Sequence, residues 1–345
     1  MTIGAAAADG AGDAADQAMA RAAWDGMVEL GRVATTVPLP ESKQSPAAAL
    51  DRPRWSWDGW ASGVADTAAE TDAFGTWRGS PVRAVAVWSD TDADAQTALS
   101  AVTAYAGYTG DLDVAVGALV RGETWEQAAS GQFVQRWTTA MRTLRGMRAG
   151  KGITYVRIAH ECNGDWMAWG VNAANLAAYQ AGYRLYASIV RKEFPEARLT
   201  WSPNGGNHTD VSIDQLYPGD DVVDVVGPDI YDGYPEVTSA GVWKESSSAW
   251  STPHSPKGLA AWRVWAARRG KPIALPEWGL PYGDHPDFIK GVHDLMAAHP
   301  GQKGAVSNAG RFVYDVYFNA ERKFKIYNGP NGASGALYRS LTWGS

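Results

Sequence analysis

The segment ITYVRIAHECNGDWMAWG, residues 153–170, gives the clearest indication of the fold of this chain. A short run rich in β-branched residues, 153–159, passes directly into a cluster of polar and aromatic side chains. This arrangement is typical of a buried parallel strand with functional groups at its carboxyl end. The remaining chain decides which kind of parallel sheet contains this strand.

Seven further runs of the same kind accompany this segment. They lie near residue 60 and at 82–88, 112–119, 198–203, 222–228, 272–277 and 311–318. Helical patterns separate them, the clearest being 124–150, 175–194 and 258–270. Eight strands alternating with helices predict an α/β fold, a single (β/α)8 TIM barrel over residues 54–345. The main rival, an open doubly wound sheet, lacks its usual glycine-rich phosphate turn here.

Residues 1–53 differ from the rest in composition, since they are rich in Ala, Asp, Ser and Pro. We interpret them as an irregular or helical N-terminal extension or linker, with one weakly amphipathic stretch at 14–31. The start lacks a basic region followed by an apolar region, so no secretory signal is predicted. No run approaches the roughly 20 apolar residues that cross a bilayer, so no membrane association is expected.

The charge and the cysteine count exclude several classes of function. A net charge of -6 gives no electrostatic reason to expect binding to nucleic acid or to an anionic membrane. Cys162 is the only cysteine, which excludes an intrachain disulfide and a cysteine-rich metal site. The chain holds 17 Trp and 14 Tyr against 7 Phe, a bias that favours either stacking on sugar rings or aromatic packing in the core.

Two strand ends carry the carboxyl groups of a candidate active site. The fourth strand delivers Arg157, His160, Glu161 and Asn163 to its end, and GKPIALPEWGLP, residues 270–281, delivers Glu277 and Trp278 to the end of the seventh. Cleavage of a glycosidic bond through a covalent intermediate needs two carboxyls about 5–5.5 Å apart. Strand ends that face each other across a barrel mouth can supply such a pair. The pattern therefore predicts a retaining glycoside hydrolase.

Three segments resemble glycoside hydrolase family 26, the β-mannanase family of clan A retaining barrels. They are RIAHECNGDWMAWG at 157–170, YPGDDVVDVVGPDIYD at 217–232 and LPEWG at 275–279. The resemblance implies that Glu161 is the acid/base, Glu277 the nucleophile and Tyr231 a hydrogen-bond partner of the nucleophile. The sugar subsites next to the cleavage point would be lined by His160, Trp166 and Trp169.

Three further residues are predicted to bind substrate or to act on the carboxylates. Donors such as Arg157, Asn163 and Tyr231 would keep Glu277 anionic, and Asn163 could also contact a sugar 2-hydroxyl. Trp278 is assigned to the same subsites. Arg157 has an equally strong alternative interpretation, a buried salt-bridge partner beneath the site. His160 is expected to orient its neighbours through hydrogen bonds rather than to act as a base.

The expected function is endo-acting, retaining hydrolysis of a β-linked polysaccharide, with mannan favoured and β-glucan, xylan or another bacterial polysaccharide as alternatives. A non-hydrolytic carbohydrate-binding barrel is the competing class. We expect no cofactor, no metal, no nucleic-acid partner, a monomer, and a secreted or cell-surface location because polysaccharides are met outside the cell. Trp243 and Trp250 could form distal sugar platforms or pack within their own loop, and we favour the first slightly.

The sequence contains neither a complete zinc-protease motif nor a complete α/β-hydrolase motif. HECNG, residues 160–164, begins like the zinc-protease motif HExxH, but Gly164 occupies the position of the second histidine. No G-x-S-x-G sequence is present, which disfavours an α/β-hydrolase esterase.

Overall fold

The computed structural model describes residues 55, 58–90, 92–233, 235–305 and 307–344. The predicted N-terminal extension, residues 1–53, and its amphipathic stretch at 14–31 lie outside the described residues. The strands are β1 (Ala61–Ala65), β2 (Ala84–Trp88), β3 (Asp111–Val116), β4 (Thr154–Ile158), β5 (Arg198–Trp201), β6 (Val225–Val226), β7 (Ile230–Tyr231), β8 (Trp250–Thr252), β9 (Ser255–Pro256), β10 (Ile273–Gly279) and β11 (Phe312–Phe318).

The helices alternate with these strands. They are α1 (Ala68–Arg78), α2 (Ala93–Ala98), α3 (Ser100–Thr103), α4 (Trp125–Ala129), α5 (Val134–Arg148), α6 (Leu176–Glu193), α7 (Ile213–Leu216), α8 (Ala240–Ser247), α9 (Leu259–Arg268), α10 (Pro286–Ala298) and α11 (Gly332–Ser340), with a 3-10 turn at Arg322–Phe324. Within the described ranges, no helix has the length and apolar character needed to cross a bilayer.

The sheet is closed, because β11 pairs in parallel with both β1 and β10. The strand β6 and the strand β7 occupy one position beside β10, which gives eight positions around the barrel. The eight predicted strands coincide with these positions, so the (β/α)8 prediction is confirmed. The pair β8 and β9 is a small antiparallel hairpin outside the barrel.

A break at Gly227–Asp229 divides the sixth barrel position into β6 and β7. A Cβ atom at Gly227 would lie 2.6 Å from Pro276 Cγ and 2.7 Å from Thr200 Cγ2, so glycine permits the close approach of the neighbouring strands. Pro228 has no backbone N–H to offer the ladder. The break turns the chain so that Asp229 and Tyr231 follow at the carboxyl end of the barrel.

The barrel interior and the helix layer form two hydrophobic clusters. Inside the barrel, the rings of Tyr155 on β4 and Tyr314 on β11 lie with centroids 4.1 Å apart, although their strands are not neighbours. Small residues on β1 and β2, such as Ala61 and Ala84, pack in the same inner cluster. The larger cluster lies between strands and helices. At the opposite end from the strand carboxyl termini, Trp55 stacks against Arg198, whose Cζ is 3.8 Å from the ring centroid.

Two of the predicted helices coincide closely with observed ones, and the third is divided. The stretch predicted at 124–150 forms α4 and α5, because Gly131 has a φ of +86° and reverses the chain between them. The helix predicted at 175–194 begins at Leu176. Asn172 accepts hydrogen bonds from the backbone N–H groups of Ala174 and Asn175 and so holds a turn before the helix.

Candidate active site

The two predicted catalytic carboxylates lie at the same end of the barrel. Glu161 lies three residues after the end of β4, and Glu277 lies near the carboxyl end of β10, which ends at Gly279. The strands are parallel, so both residues are at the carboxyl face, where functional groups of such barrels collect. The negative charge of Glu161 is one of the influences that raise the pKa of Glu277, which shows that the two side chains share one electrostatic environment.

Glu161 is held by two side-chain donors. The indole Nε1 of Trp166 donates to its Oε2 at 2.7 Å, and the amide Nδ2 of Asn204 donates to its Oε1 at 2.7 Å. Its backbone N–H donates to Ser202 O at 2.6 Å, which ties the turn after β4 to the end of β5. These contacts fix the direction of the carboxyl group and leave it partly accessible from the cleft.

The backbone around Glu161 is strained. Glu161 has a φ of +50° and Ala159 a φ of +53°, both in the left-handed region that residues with a Cβ atom rarely adopt. Such conformations cost about 1–3 kcal/mol each and are found where a fold needs a particular side-chain direction. The strained residues on both sides of His160 therefore indicate that this turn holds the Glu161 side chain in a fixed direction at a cost in stability.

Glu277 receives a hydrogen bond from the hydroxyl of Tyr231 at its Oε1. Its Oε2 lies 3.9 Å from Nη1 of Arg157. The pKa of Glu277 is raised to about 7 in total. Burial is the largest influence and raises it, Arg157 lowers it, the charge of Glu161 raises it, and the hydrogen bond from Tyr231 lowers it. Two of the predicted donors, Arg157 and Tyr231, thus favour the anion, whereas desolvation and the second carboxylate oppose it.

Arg157 lies beneath the carboxylates with no exposed surface. Its Nε donates to Asp113 Oδ1 at 2.5 Å, and its Nη1 is 3.7 Å from Asp229 Oδ2. The prediction that Arg157 binds substrate is therefore wrong, since no atom of the side chain reaches the cleft. The alternative interpretation, a buried ion-pair partner below the site, agrees with these contacts.

Asn163 and Trp278 do not reach the cleft either, and their prediction as substrate-binding residues is wrong. The Asn163 side chain is fully buried, donates to the carbonyl groups of Asn204 and Gly206, and accepts from the N–H of Asn204. It shapes the loop that carries the Asn204 amide and makes no contact with Glu277. The Trp278 indole is also fully buried and donates to Asp315 Oδ2 at 2.9 Å.

The three remaining predicted subsite residues differ in accessibility. Trp166 is 48% exposed and lies with its ring 5.1 Å from that of His208, so it offers a face for stacking. Trp169 and His160 are each 3% exposed. The Trp169 Nε1 donates to the His160 carbonyl at 2.6 Å, and the two rings lie 5.2 Å apart. These two residues support the Glu161 turn and present only an edge to the cleft.

Several side chains at the site were not predicted. Asn204, which follows β5, donates a hydrogen bond to Glu161. Asp229, which lies between β6 and β7, is close to Arg157. Trp88 and Phe318, at the ends of β2 and β11, meet edge to face at 5.7 Å and are partly exposed. All four follow or end a barrel strand, so the rule that function collects at strand carboxyl ends would have nominated them.

Trp243 and Trp250 pack against the protein. The Trp243 ring meets Phe288 edge to face at 5.8 Å, and a Cβ atom at Gly291 would lie 2.2 Å from it. Arg268 lies over the Trp250 ring at 5.8 Å. Both indoles are partly buried against the main core. Both indoles therefore pack against the neighbouring helices α9 and α10 and the main core, and not within a separate core of their own segment.

Metal chemistry has no visible support at this site. Among the residues that the structure describes, no group of three or more His, Cys, Asp or Glu side chains could hold a metal ion. The groups that converge on the cleft are carboxylates, amides, a phenol and indoles. These are suited to proton transfer, to nucleophilic attack by a carboxylate and to hydrogen bonding of hydroxyl groups.

Comparison with known proteins agrees with this geometry. Residues 142–249 match the model of glycosyl hydrolase family 26. The chain is 31% identical over 231 residues, 64% of its length, to a mannan endo-1,4-beta-mannosidase of Bifidobacterium adolescentis. It spans about a fifth of that relative, 22% of its length.

Solved structures share the fold. A modular endo-beta-1,4-mannanase from Cellulomonas fimi superimposes with a TM-score of 0.56 at 18% identity, over 82% of this chain and 70% of that one. The GH26 beta-mannanase BoMan26A from Bacteroides ovatus gives a TM-score of 0.51 at 16% identity, over 82% and 88% of the two chains. The matched segment contains Glu161, and the resemblance of the site motifs agrees with it. Residues 142–249 of this chain are therefore similar to glycosyl hydrolase family 26, and the whole barrel shares its fold with the two mannanases.

Proposed function

We propose that this protein is a retaining, endo-acting glycoside hydrolase of a β-linked polysaccharide, with mannan as the favoured substrate. The observation that carries the proposal is the pair of carboxylates, Glu161 and Glu277, which β4 and β10 bring to the same end of the barrel, close enough for the charge of Glu161 to raise the pKa of Glu277. The mannan-type substrate is supported by the 31% identity to a mannan endo-1,4-beta-mannosidase.

The two carboxylates have different surroundings, which supports different roles. Tyr231 and Arg157 both favour the charged form of Glu277, as attack on the anomeric carbon requires. Glu161 lies beside the exposed Trp166, where it can give a proton to the leaving oxygen and later take one from water. Double displacement requires a proton on the acid/base, the role we assign to Glu161, and a negative charge on the nucleophile, the role we assign to Glu277.

The proposal predicts that Glu161→Gln and Glu277→Gln abolish hydrolysis while the fold survives. We expect release of reducing ends from mannan to fall by about a hundredfold to ten-thousandfold for Glu161→Gln and at least as far for Glu277→Gln. Glu126→Gln, at an exposed position in the first turn of α4, is the matched control and should keep full activity. Circular dichroism should be the same for all three variants.

A panel of mannans, β-glucans and xylans, with anomeric configuration followed by NMR, tests substrate and stereochemistry together. Retained configuration and a mixture of oligosaccharides support the proposal. Activity that survives both substitutions would reject it. Binding of a polysaccharide by the unaltered protein without any release of reducing ends would instead favour the carbohydrate-binding barrel.

We further propose that the protein acts as a monomer at the cell surface or in the medium. The support for the location is the proposed substrate class, because polysaccharides are usually met outside the cell. Sedimentation of the purified protein and assay of separated medium, surface and cytosolic fractions test the two parts.

A further inference from the structure

A second polar cluster lies beside the catalytic turn. We call it the Asp90 cluster, and it consists of Asp90, Gln96, His160 and Trp169. Asp90 follows the end of β2 by two residues, and His160 immediately precedes Glu161. A Cβ atom at Gly117 would lie 2.7 Å from Trp169 Cζ3, 2.8 Å from Gln96 Nε2 and 3.1 Å from Asp90 Cβ. Three members of the cluster thus pack around Gly117, which follows β3, and the fourth, His160, lies beside Asp90 at the end of β4.

The hydrogen bonding of this cluster is incomplete. Asp90 Oδ2 is 3.6 Å from His160 Nδ1, which is beyond a hydrogen bond. Among the described residues, His160 Nδ1 and Gln96 Oε1 are buried and have no hydrogen-bond partner. Buried polar groups without partners are costly, so they indicate a site that is completed by something else. The Asp90 side chain, 12% exposed, is more accessible than that of His160, at 4%.

The charge of the cluster limits what can complete it. Burial lowers the pKa of His160 well below its ordinary value and Arg157 lowers it further, so the imidazole is neutral. Burial raises the pKa of Asp90 to about 6, against the influence of Arg157. Arg157 is shared with Asp113, Asp229 and Glu277. An acceptor in an already acidic cleft suits a neutral hydroxyl donor and repels an anion.

We propose that Asp90 is a substrate-binding and specificity-determining residue that accepts hydrogen bonds from hydroxyl groups of a neutral sugar ring, beside His160, whose Nδ1 lies 3.6 Å from Asp90 Oδ2. The same carboxylate would disfavour sugars that carry a carboxylate of their own. This inference rests on the proposed glycosidase function and names one contact by which that site selects its substrate.

The test compares Asp90→Asn with Asp92→Asn on the polysaccharide fragment that the unaltered protein cleaves best. Asp92 caps α2 by accepting from the N–H of Ala95, two residues away from Asp90, and Asn caps helices equally well. We expect Asp90→Asn to raise KM at least tenfold with kcat within threefold, because a hydrogen bond to a charged group is lost. Asp92→Asn should change neither constant.

A second measurement addresses selection against acidic sugars. The ratio of kcat/KM for a neutral oligosaccharide to that for the same oligosaccharide bearing a uronic acid should fall at least fivefold in Asp90→Asn. Unchanged KM and an unchanged ratio would overturn the inference. If Asp90→Asn does not fold, Asp90→Ser, which creates no larger side chain, is measured in the same way.

Failure of the proposed function gives a different result. In that case the unaltered protein releases no reducing ends, and the affinity for neutral oligosaccharides is measured by calorimetry instead. Loss of affinity in Asp90→Asn and not in Asp92→Asn would still support the contact. Equal affinity in all three proteins, or no binding by the unaltered protein, would overturn it.

Discussion

Tyr231 is the residue on which the charge state of Glu277 most directly depends. Burial raises the pKa of the Tyr231 hydroxyl well above its ordinary value, so it remains a donor at every working pH. Its hydrogen bond to Glu277 Oε1 stabilises the anion that the proposed function requires for attack. The ring packs against Phe318 and Phe324, which holds the hydroxyl in place.

We predict that Tyr231→Phe lowers kcat by about tenfold to a hundredfold, the expected effect of losing a hydrogen bond to a charged group. The pKa of Glu277, about 7 with the tyrosine present, should rise, since the donor that lowers it is gone. The acidic limb of the kcat/KM profile should therefore move to higher pH. Tyr327→Phe, whose ring packs on Phe74 and Trp77, is the control. A limb that stays in place would contradict this role.

Residue types were easier to predict from the sequence than side-chain directions. Glu161, Glu277 and Tyr231 stand in motifs that the sequence displays, and the structure brings them together. Trp278 follows Glu277 on the same strand, and successive side chains on a strand point to opposite faces. It therefore enters the helix layer, where it stacks near Tyr317 and Trp343. The period of two could have predicted this, whereas the hydrogen bonds of Asn163 depend on a loop 40 residues away.

At the scale of elements, the loop after β10 is fastened to a distant helix. Both carboxylate oxygens of Asp284 accept from the start of α11, from the N–H groups of Ala333 and Ser334 at 2.7 Å each. Burial would raise the pKa of Asp284, but these hydrogen bonds outweigh it and hold the pKa below the ordinary value. The loop that follows Glu277 is thus positioned by a helix cap.

We predict that Asp284→Ala lowers the free energy of unfolding by about 1 kcal/mol, the usual value of such a cap. Because the folded-state pKa is depressed, this contribution is present above the ordinary aspartate pKa and is lost as the pH falls through the folded value. Urea titrations at pH 7 and at progressively lower pH measure the difference. Asp72→Ala, on the exposed side of α1, is the control. A difference independent of pH would exclude an ionised cap.

Element existence followed from the pattern, and element boundaries did not. Apolar β-branched runs revealed all eight barrel positions, because a strand covered on both faces reads as a continuous apolar run. The division of 124–150 depends on Gly131, and the break after β6 depends on Gly227 and Pro228. A single glycine or proline of this kind ends an element locally, and a periodic pattern read over ten or more residues does not reveal it.

At the scale of the whole molecule, the fully buried side chain of Arg157 connects several barrel strands through ion pairs. Arg157 on β4 reaches Asp113 on β3, Asp229 after β6 and Glu277 on β10. The same Asp113 accepts from the hydroxyl of Tyr314 on β11 at 2.5 Å. The ionic network therefore connects strands around much of the closed sheet.

We predict that Arg157→Met lowers the free energy of unfolding by about 3–5 kcal/mol, because removing one partner leaves buried carboxylates uncompensated. The loss should shrink at acid pH, where those carboxylates take up protons. Urea unfolding monitored by tryptophan fluorescence measures it. Arg142→Met, which removes an ion pair at the surface with Glu193, should leave the midpoint nearly unchanged. Equal midpoints for the two variants would show that the network is not stabilising.

The strained turn at Ala159 and Glu161 has a consequence for how the protein fails on heating. An unfavourable backbone conformation relaxes as soon as its surroundings loosen, and the main-chain hydrogen bond from Glu161 N to Ser202 O ties this residue to the end of β5. The direction of the side chain that we propose as the proton donor can then be lost while the barrel is still closed. Thermal inactivation should accordingly begin at a lower temperature than cooperative melting.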